Sequence, residues 1–492
     1  MKKYFAWMGA AVIVMALASP SLAQTAWKSW GHLEIVTLLI NKPELGQGGA
    51  FSTVMGATTS TGTGTGSGVA PTVLRAGDDN TLRQIAERFR FYLQYGDPKT
   101  VRGVIGFEAD STNWGESGWT QSETRDSNPS GRMGVYRTDQ PQLEIKWAFI
   151  EFVVPNTPVK VTAGLQGFNI GGTLFMSNDA PGLTVAADFA PHKVSGYWWR
   201  ERDVDLLKYN TTDMYGLQYQ LSQKLFNVYG YGFYKNGLAG LTNASAVVTN
   251  PNFIDHPWWL GLGGGYRPGN FDFSGQFIYV GGKQESKVAG VSDKDYSGWI
   301  SQLLAAYRIG PGLKVALEGY YATGNDADDP NKIKAWTYPT GTEAVNAMGN
   351  DRSVFFFINN DFITYSGIER FCSSLWYGRA NVEYNPFAWL NLNFNYLYFG
   401  DTTKGTPSAL SVTTGRKVIN GEPNAQTYKD EDYVGSELNV IAKIKIYEPL
   451  YYNVGFGYFI PGAVFDLYDT AGNKIRSPDN AWSLLTCLRY FF

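Results

Sequence analysis

The chain has 492 residues, of which 41 are basic and 44 acidic, for a formal net charge of −3. This near balance excludes a strongly basic nucleic-acid binder. Aromatic residues make up 15% of the chain, glycine occurs 56 times, and charged residues are held to 17%. Such a composition suits an all-β protein, and after Ala23 no apolar run is long enough for a helical membrane span.

The first predicted element is a secretory signal peptide over residues 1–23. Lys2 and Lys3 precede an uncharged, mostly apolar run over residues 5–18, and Ser21-Leu22-Ala23 forms a small-residue cleavage site. The apolar part is too short for a transmembrane helix, so the pattern predicts a cleaved peptide rather than an anchor. We therefore expect export, with residues 24–492 as a single domain.

A strand, a tight turn and a second strand form the unit that recurs along the chain. Its first clean example is ERFRFYLQYGDPKTVRGVIGFEAD, in which apolar residues alternate with charged ones on both arms. Keeping both apolar faces on one side requires an odd loop, which we place at 96–100, because a slip of one residue inverts a strand. This register sets Gln94 opposite Arg102 and Arg88 opposite Glu108.

The same unit recurs six more times, with Pro, Gly, Asn or Asp supplying the turn chemistry. The turns fall at 155–158, 222–224, 267–270, 310–312, 385–386 and 448–449. On the first of these hairpins, Ile145, Trp147 and Phe149 fall on the apolar face. Long segments with little strand character separate the hairpins at 41–81, 111–141, 322–374 and 401–433. Short turns alternating with long loops are typical of a transmembrane barrel.

The strand count leaves two alternatives open. Seven hairpins, a first strand over 27–40 and a last strand over 482–492 make sixteen strands. Residues 183–203 either form an eighth hairpin turning at 191–193, or belong to one long loop over 168–213 that folds into the pore. The turn resembles the others, so we favour eighteen. The prediction is an all-β, transmembrane antiparallel barrel of 16–18 strands.

The chain ends in WSLLTCLRYFF, whose outer face runs from Trp482 through Tyr490 to Phe492. An aromatic terminal strand resembles the C-terminal signature of Gram-negative outer-membrane β-barrels. Together with the hairpins, it makes the mature sequence resemble a general diffusion porin. The resemblance implies that Tyr490 and Phe492 form an assembly signal for the barrel-assembly machinery. It also implies a homotrimer in the outer membrane, among lipid and lipopolysaccharide, with short periplasmic turns and long extracellular loops.

A barrel of this size leaves a water-filled lumen, so its inward side chains are polar. Alternation places the following residues inward: Arg88, Arg90, Gln94, Arg102, Glu108, Glu144, Lys146, Lys160, Gln166, Glu318, Arg379, Glu383, Lys443 and Lys445. These residues either form wall salt bridges or set the field that a solute meets.

The resemblance further implies a constriction loop that folds into the pore. The matching stretch begins at Phe168 and carries Asp179 and Asp188, which would face a basic wall of Arg88, Arg90 and Arg102 on neighbouring strands. The alternative leaves both acids as solvated loop residues.

The leading functional hypothesis is passive diffusion of small hydrophilic solutes and ions. One alternative is a substrate-selective outer-membrane channel, with residues 197–199 as an aromatic track. Another is an outer-membrane barrel enzyme. His32, His192 and His256 are far apart in sequence, and no cofactor or phosphate-binding motif occurs, so we predict no catalytic site and no cofactor.

Two smaller questions stay open. Cys372 and Cys487 either form a disulfide, which an exported protein permits, or remain as two thiols. The run GNDADDPN, with Asp326, Asp328 and Asp329, either binds Ca²⁺ through oxygen ligands or is a solvated loop that lacks the glycine and distal glutamate of an EF-hand.

Overall fold

Alternating apolar and polar residues form long strands over most of the chain. The computed structural model describes residues 27–41, 81–114, 132–133, 143–171, 174–203, 211–237, 240–241, 249–250, 253–339, 352–356, 373–405, 429–469 and 471–492. Within them, eighteen long strands form one sheet. They are β1 (Lys28–Asn41), β2 (Thr81–Gly96), β3 (Val101–Trp114), β4 (Glu144–Val153), β5 (Val159–Ile170), β6 (Met176–Phe189), β7 (His192–Asp203), β8 (Thr211–Ser222), β9 (Phe226–Gly237), β10 (Phe253–Tyr266), β11 (Phe271–Ser286), β12 (Trp299–Arg308), β13 (Leu313–Ala322), β14 (Leu375–Phe387), β15 (Leu390–Asp401), β16 (Tyr433–Tyr447), β17 (Leu450–Pro461) and β18 (Ala481–Phe491).

The sheet closes on itself as a barrel. Each strand pairs antiparallel with the next in chain order. The last strand then pairs antiparallel with the first, with Ile35 opposite Leu488. Two backbone hydrogen bonds extend this seam: Gly31 N–H donates to Phe492 at 3.0 Å, and Phe492 N–H donates back at 3.1 Å. A closed barrel pairs the backbone groups of every strand, as a membrane requires.

Residues 183–203 decide the strand count. They form the second half of β6 and the whole of β7, which turn at 190–191 between Phe189 and His192. The favoured count of eighteen is therefore confirmed, and the alternative of one long loop over 168–213 is wrong. The alternation on both sides of the turn is long enough to pair each strand with its neighbours.

The two ends of the barrel differ in their connections. At the end where β1 begins and β18 ends, adjacent strands are joined by two to five residues, at 97–100, 154–158, 190–191, 223–225, 267–270, 309–312, 388–389 and 448–449. At the other end most connections are long, including 42–80, 323–374 and 402–432. This asymmetry is the one expected of a transmembrane barrel.

Short elements lie within the long connections. In the described residues these are the strands Arg132–Met133, Gly240–Leu241, Thr249–Asn250, Lys294–Tyr296, Lys332–Ile333, Leu467–Tyr468 and Lys474–Arg476, and the 3-10 helix Ala463–Phe465. In the same part of the chain, no helix is long and apolar enough to cross a membrane.

The two faces of the barrel wall have opposite chemistry. Leu303 and Leu317 on the outer face are each exposed over 68% of their surface. Their neighbours Gln302 and Glu318 point inward, where the Gln302 amide donates to the Glu318 carboxylate at 2.6 Å. Apolar residues outside and polar residues inside are the arrangement expected of a wall between lipid and water.

The β2–β3 hairpin has a register displaced by two residues from the predicted one. Arg90 rather than Arg88 lies directly opposite Glu108, and Gly96 rather than Gln94 lies opposite Arg102, so the predicted register is wrong, although the side chains of both predicted pairs are in contact. The turn is centred one residue later than expected. Because this moves the register by two, each side chain keeps its predicted face.

Asp97 explains the position of this turn. Its N–H donates to the Val101 carbonyl at 2.9 Å, and its carboxylate accepts the N–H of Lys99 at 2.9 Å. Thr100 N–H donates to the Asp97 carbonyl at 3.0 Å. Local capping by an Asp side chain therefore decides where the chain reverses.

β4 contains a bulge that reverses its alternation. Lys146 is the extra residue, because Ile145 and Trp147 on either side of it lie opposite adjacent residues of β3. Trp147 consequently turns inward, with its ring centre 4.7 Å from that of Tyr92. The prediction that Trp147 and Phe149 share the outer apolar face with Ile145 is wrong, since one inserted residue exchanges the two faces.

Candidate functional site: the barrel lumen

A cluster of charged side chains lines the inner wall at β2–β4. The Glu108 carboxylate is almost completely buried at its centre. Arg90 Nη2 donates to Glu108 Oε1 at 2.7 Å, Arg88 Nε lies 3.3 Å from the same oxygen, and Lys146 Nζ lies 2.7 Å from Oε2. One acid thus holds three cations from two neighbouring strands. The bulge in β4 brings Lys146 into reach.

Glu34 carries this cluster across the seam between the first and last strands. Its Oε1 lies 2.5 Å from Arg489 Nε on β18 and 3.7 Å from His32 Nε2 on β1. Its Oε2 lies 3.9 Å from Arg88 Nη1 on β2. The charges of β18, β1 and β2 therefore form one connected patch with those around Glu108.

A second ionic group lies closer to the short turns. Arg102 Nε donates to Glu151 Oε1 at 2.9 Å, and Arg102 Nη1 donates to Gln94 Oε1 at 2.9 Å. Lys160 Nζ lies 3.1 Å from Glu151 Oε2 and keeps 46% of its side chain exposed. Lys160 is thus the more accessible cation of this group.

Across the barrel, Glu318 gathers a separate group of polar side chains. Arg352 Nε lies 3.0 Å from both of its oxygens, and Arg379 Nη2 lies 2.6 Å from Oε2. The Tyr377 hydroxyl and the Gln302 amide donate to Oε1 at 2.8 and 2.6 Å. All potential acceptor positions of this carboxylate are engaged, so it is a rigid part of the wall.

The remaining predicted lining residues also lie on the inner face. Gln166 is buried there, and nearer the rims lie Glu144, Glu383, Lys443 and Lys445. Glu383 is ion-paired with Lys314 and accepts a hydrogen bond from Asn391 at 3.0 Å. Lys445 Nζ lies 2.8 Å from Glu448 in the turn. The structure places all the predicted residues on one face, while their role in a pore stays a prediction.

The tip of the β5–β6 hairpin leaves the barrel wall. Leu165 is the last residue of β5 that pairs with β4, and Gly182 is the first residue of β6 that pairs with β7. Between them, β5 and β6 pair only with each other. We call this tip, residues 166–171 and 174–181, the tongue.

One side of the tongue packs against the inner wall of β7–β11. The ring of Phe175 lies 5.0 Å from that of Tyr231 and 5.9 Å from that of Trp259. Gly171, at φ +65°, approaches so closely that a β-carbon there would lie 2.5 Å from the Tyr231 hydroxyl and 2.6 Å from Gln276 Nε2. Only glycine fits this position, so the tongue extends inside the lumen as far as β11.

The other side of the tongue carries Asp179 towards the basic residues of the wall. Asp179 Oδ2 lies 2.8 Å from Lys146 Nζ, and Trp147 Nε1 donates to Oδ1 at 2.7 Å. Asp188 instead lies opposite Lys193 beside the short turn. The prediction that both acids lie in a loop is wrong, because the alternation of β6 runs on through both positions. A constricting role for Asp179 stays a prediction.

A second piece of chain enters the lumen from the connection between β13 and β14. We call residues 352–356 the inner segment. The ring of Phe356 lies 4.3 Å from that of Phe399 on β15, and Phe355 stacks on Phe459 of β17 at 5.1 Å. With Arg352 held by Glu318, these contacts fix the segment inside the barrel.

Several of the luminal residues were missed by the sequence analysis. Glu34 in β1 and Glu437 in β16 occupy inward positions of the period-two alternation. Glu437, for example, lies on the same face of its strand as Lys443, so the alternation could have identified both acids. Arg352 lies in a segment without strand character. Nothing in the sequence marks it as luminal, because its position depends on contacts with distant strands.

The acidic loop after β13 is neutralised by lysines. Lys334 Nζ lies 3.1 Å from Asp326 and 3.2 Å from Asp329. Its hydrogen bond lowers the pKa of the Asp326 carboxyl, and hydrogen bonds from Lys332 and Lys334 lower that of Asp329. Among the described residues, no group of three or more His, Cys, Asp or Glu is placed to hold a metal ion. The paired ammonium groups disfavour Ca²⁺ in this loop.

The histidines weighed for catalysis are not brought together, and one of the two cysteines lies outside the described residues. His32, His192 and His256 lie on β1, β7 and β10. Cys487 is buried on β18, whereas Cys372 lies outside the described residues, as does the predicted signal peptide. Both disulfide alternatives therefore stay open.

Comparisons with known proteins find solved structures of similar fold, among them the three described below. No protein-family model matches the chain, and no curated protein matches it. OpdK of Pseudomonas aeruginosa, solved with vanillate, is 11% identical over 94% of this chain and 98% of its own, with a TM-score of 0.48. OccK11 (OpdR) of the same organism is 9% identical over 94% and 96%, with a TM-score of 0.44. A loop L8 deletion mutant of OmpT, an outer membrane protein of Vibrio cholerae, is 8% identical over 95% and 99%, with a TM-score of 0.40. At these values, the assignment of an eighteen-stranded antiparallel barrel rests on the chain's own strand pairing.

Proposed function

We propose that the protein forms a water-filled channel for passive diffusion of small hydrophilic solutes and ions across the outer membrane of a Gram-negative bacterium. The observation that carries this proposal is the inside-out distribution of its side chains. Residues such as Leu303 and Leu317 are exposed outside the barrel, and ionised side chains such as Arg90 and Glu108 lie inside it. A wall of this kind separates lipid from an aqueous interior.

The width of the barrel supports the same proposal. Strands about 4.8 Å apart and tilted by about 40° would close eighteen strands into a ring roughly 35 Å across. Wall side chains alone cannot fill such a ring, and barrels of this size leave an aqueous channel. The tongue and the inner segment occupy part of the lumen, so the expected passage runs between them, beside the charged cluster of β1–β4.

Single-channel recording tests the proposal directly. The purified, folded barrel is added to a planar bilayer under a KCl gradient, and heat-unfolded protein serves as the matched control. Stepwise currents from the folded protein alone support a pore, and the sign of the reversal potential reports the charge that governs the narrowest point. A correctly folded barrel that inserts without carrying current would refute the proposal.

A substrate-selective channel is the second candidate, and the tongue is the observation that favours it. Asp179 meets Lys146 inside the lumen, so fixed charges of both signs lie beside the tongue. Liposome-swelling rates separate the two candidates. For general diffusion, solutes of equal size and equal charge enter at equal rates, whereas a selective channel favours one chemical class at equal size and charge.

The assembly and surroundings of the barrel are part of the same proposal. A homotrimer, contact with lipopolysaccharide, and recognition of Tyr490 and Phe492 by the barrel-assembly machinery follow from the resemblance noted in the sequence. Mass measurement of the protein extracted in mild detergent tests the first of these. A monomer at all concentrations would remove the trimer from the proposal.

A further inference from the structure

One buried carboxylate accepts three backbone hydrogen bonds and one hydroxyl hydrogen bond from the inner segment. Glu437 of β16 is fully buried. Its Oε1 accepts the N–H groups of Val354 and Phe355 at 2.7 and 3.1 Å. Its Oε2 accepts the Ser353 hydroxyl and the Phe356 N–H at 2.6 and 2.9 Å. Four donors from four consecutive residues therefore converge on one side chain.

Three successive backbone N–H groups that point into one concavity form an anion-binding nest. Here the anion is supplied by the chain itself, from a strand more than 80 residues further along. Hydrogen bonds to an ionised acceptor are shorter and stronger than neutral ones. The backbone conformation of the inner segment thus depends on the charge of Glu437.

Three further contacts tie the segment to strands on both sides of β16. Arg352 is ion-paired with Glu318 of β13, and the Asn439 amide donates to the Arg352 carbonyl at 2.8 Å. The Ser483 hydroxyl of β18 donates to the Val354 carbonyl at 2.7 Å. The contacts of the segment therefore reach from β13 to β18 along the inside of the wall.

Two glycines make room for the segment to lie flat on this wall. A β-carbon at Gly457 would lie 3.0 Å from the Phe355 nitrogen and 3.1 Å from Val354 Cβ. At Gly455 it would lie 3.2 Å from both methyl groups of Val354. Both glycines are on the inner face of β17, so the wall is thinnest where the segment meets it.

We propose that Glu437 is a positioning residue that pins the inner segment flat against the wall and thereby keeps the channel at one fixed cross-section. The inference rests on the proposed channel function. Without the pin, the segment moves within the lumen, and the current through a single channel alternates between several levels instead of holding one. Glu437 touches no solute; it acts through residues 353–356.

The substitution Glu437→Gln tests this role at constant side-chain shape. Glutamine keeps one acceptor oxygen but sets an NH₂ group against backbone donors, so at least one charge-assisted hydrogen bond is lost. Such a loss favours the released state by about tenfold or more. In planar-bilayer recordings, wild-type channels hold one conductance level, and E437Q channels spend at least about tenfold more time in additional levels.

Two further variants test whether the additional conductance levels arise from release of the inner segment. Asp213→Asn removes another buried carboxylate of the barrel, one that contacts Arg200 and not the inner segment, and this variant keeps a single level. Gly457→Ala keeps Glu437 but places a β-carbon 3.0 Å from the Phe355 nitrogen, so the segment cannot lie flat and additional levels appear.

The outcomes separate this inference from the channel proposal. Wild-type protein without stepwise current refutes the channel itself. Wild-type steps with E437Q indistinguishable from D213N overturn the role of Glu437 alone. Where E437Q fails to fold, Ser483→Ala carries the test, because it removes one anchor of Val354 without leaving a buried charge unpaired. Additional conductance levels in S483A support the proposed positioning of the inner segment, and a steady single level overturns it.

Discussion

Replacing Glu108 by glutamine should destabilise the barrel far more than the same change at Glu151. Glu108 is the only described carboxylate within salt-bridge distance of Arg90, whereas Arg88 and Lys146 also reach other acids. Removal of one partner from a buried ion pair costs about 3–5 kcal/mol, because a charge is left stranded. The Arg90 side chain is 20% exposed, which lowers the expected cost of E108Q to about 2–3 kcal/mol.

Glu151→Gln is the matched control. In this variant Arg102 keeps its hydrogen bond to Gln94 at 2.9 Å. Lys160 is 46% exposed, so water solvates its ammonium group in place of the Glu151 carboxylate. The expected cost is about 0–1 kcal/mol, as for exposed ion pairs. Both variants remove one negative charge from the inner wall, on neighbouring strands. The difference between their free energies of unfolding therefore measures the cost of leaving Arg90 without a carboxylate partner.

Reversible urea unfolding of the barrel in lipid vesicles, followed by tryptophan fluorescence, measures the two free energies. A double variant, Arg90→Gln with Glu108→Gln, should recover most of the stability lost in E108Q, since neither charge is then unpaired. Equal unfolding midpoints for E108Q and E151Q would refute the assignment of Arg90 to Glu108. So would a double variant that is no more stable than E108Q.

Two further predictions concern the outer face and the seam. Leu317→Arg should cost about 2–4 kcal/mol of barrel stability in lipid vesicles, the penalty for a charge near the bilayer midplane, and an unchanged unfolding free energy would mean that this face does not meet lipid. Deletion of Phe492 removes two backbone hydrogen bonds and ring contacts with Phe89 and Phe91, which together contribute about 2–5 kcal/mol. The amount of folded protein in the outer membrane should therefore fall, and wild-type levels would contradict this reasoning.

The strands could be predicted from the sequence because a barrel wall obeys a local rule. Water on one side and lipid on the other impose a period of two, so the alternation around Asn395 marks β15 and sets its inward face without knowledge of distant residues. The loop limits at Asn41 and Thr81 followed from where that period stops. Turn residues then distinguished eighteen strands from sixteen.

The bulge in β4, the register of β2 and β3 and the inner segment could not be predicted, because none of them has a local sequence pattern. The bulge at Lys146 inserts one residue and exchanges the faces of Trp147 and Phe149, yet leaves no mark in composition. The register of β2 and β3 depended on which residue near Asp97 occupies the centre of the turn. The inner segment is held by Glu437, more than 80 residues away, so no window of sequence contains both partners.

The seam also has a consequence for how the barrel forms. Ile35 and Leu488 are separated by nearly the whole chain, so their pairing is the contact with the highest loop-closure cost. Until it forms, β1 and β18 each present a free edge to other strands. The buried pair of Glu34 with Arg489 restricts which alignment can close, because a slip by two residues keeps every face correct but separates these two charges. This ion pair thus selects the final register among alternatives that the apolar pattern alone would accept.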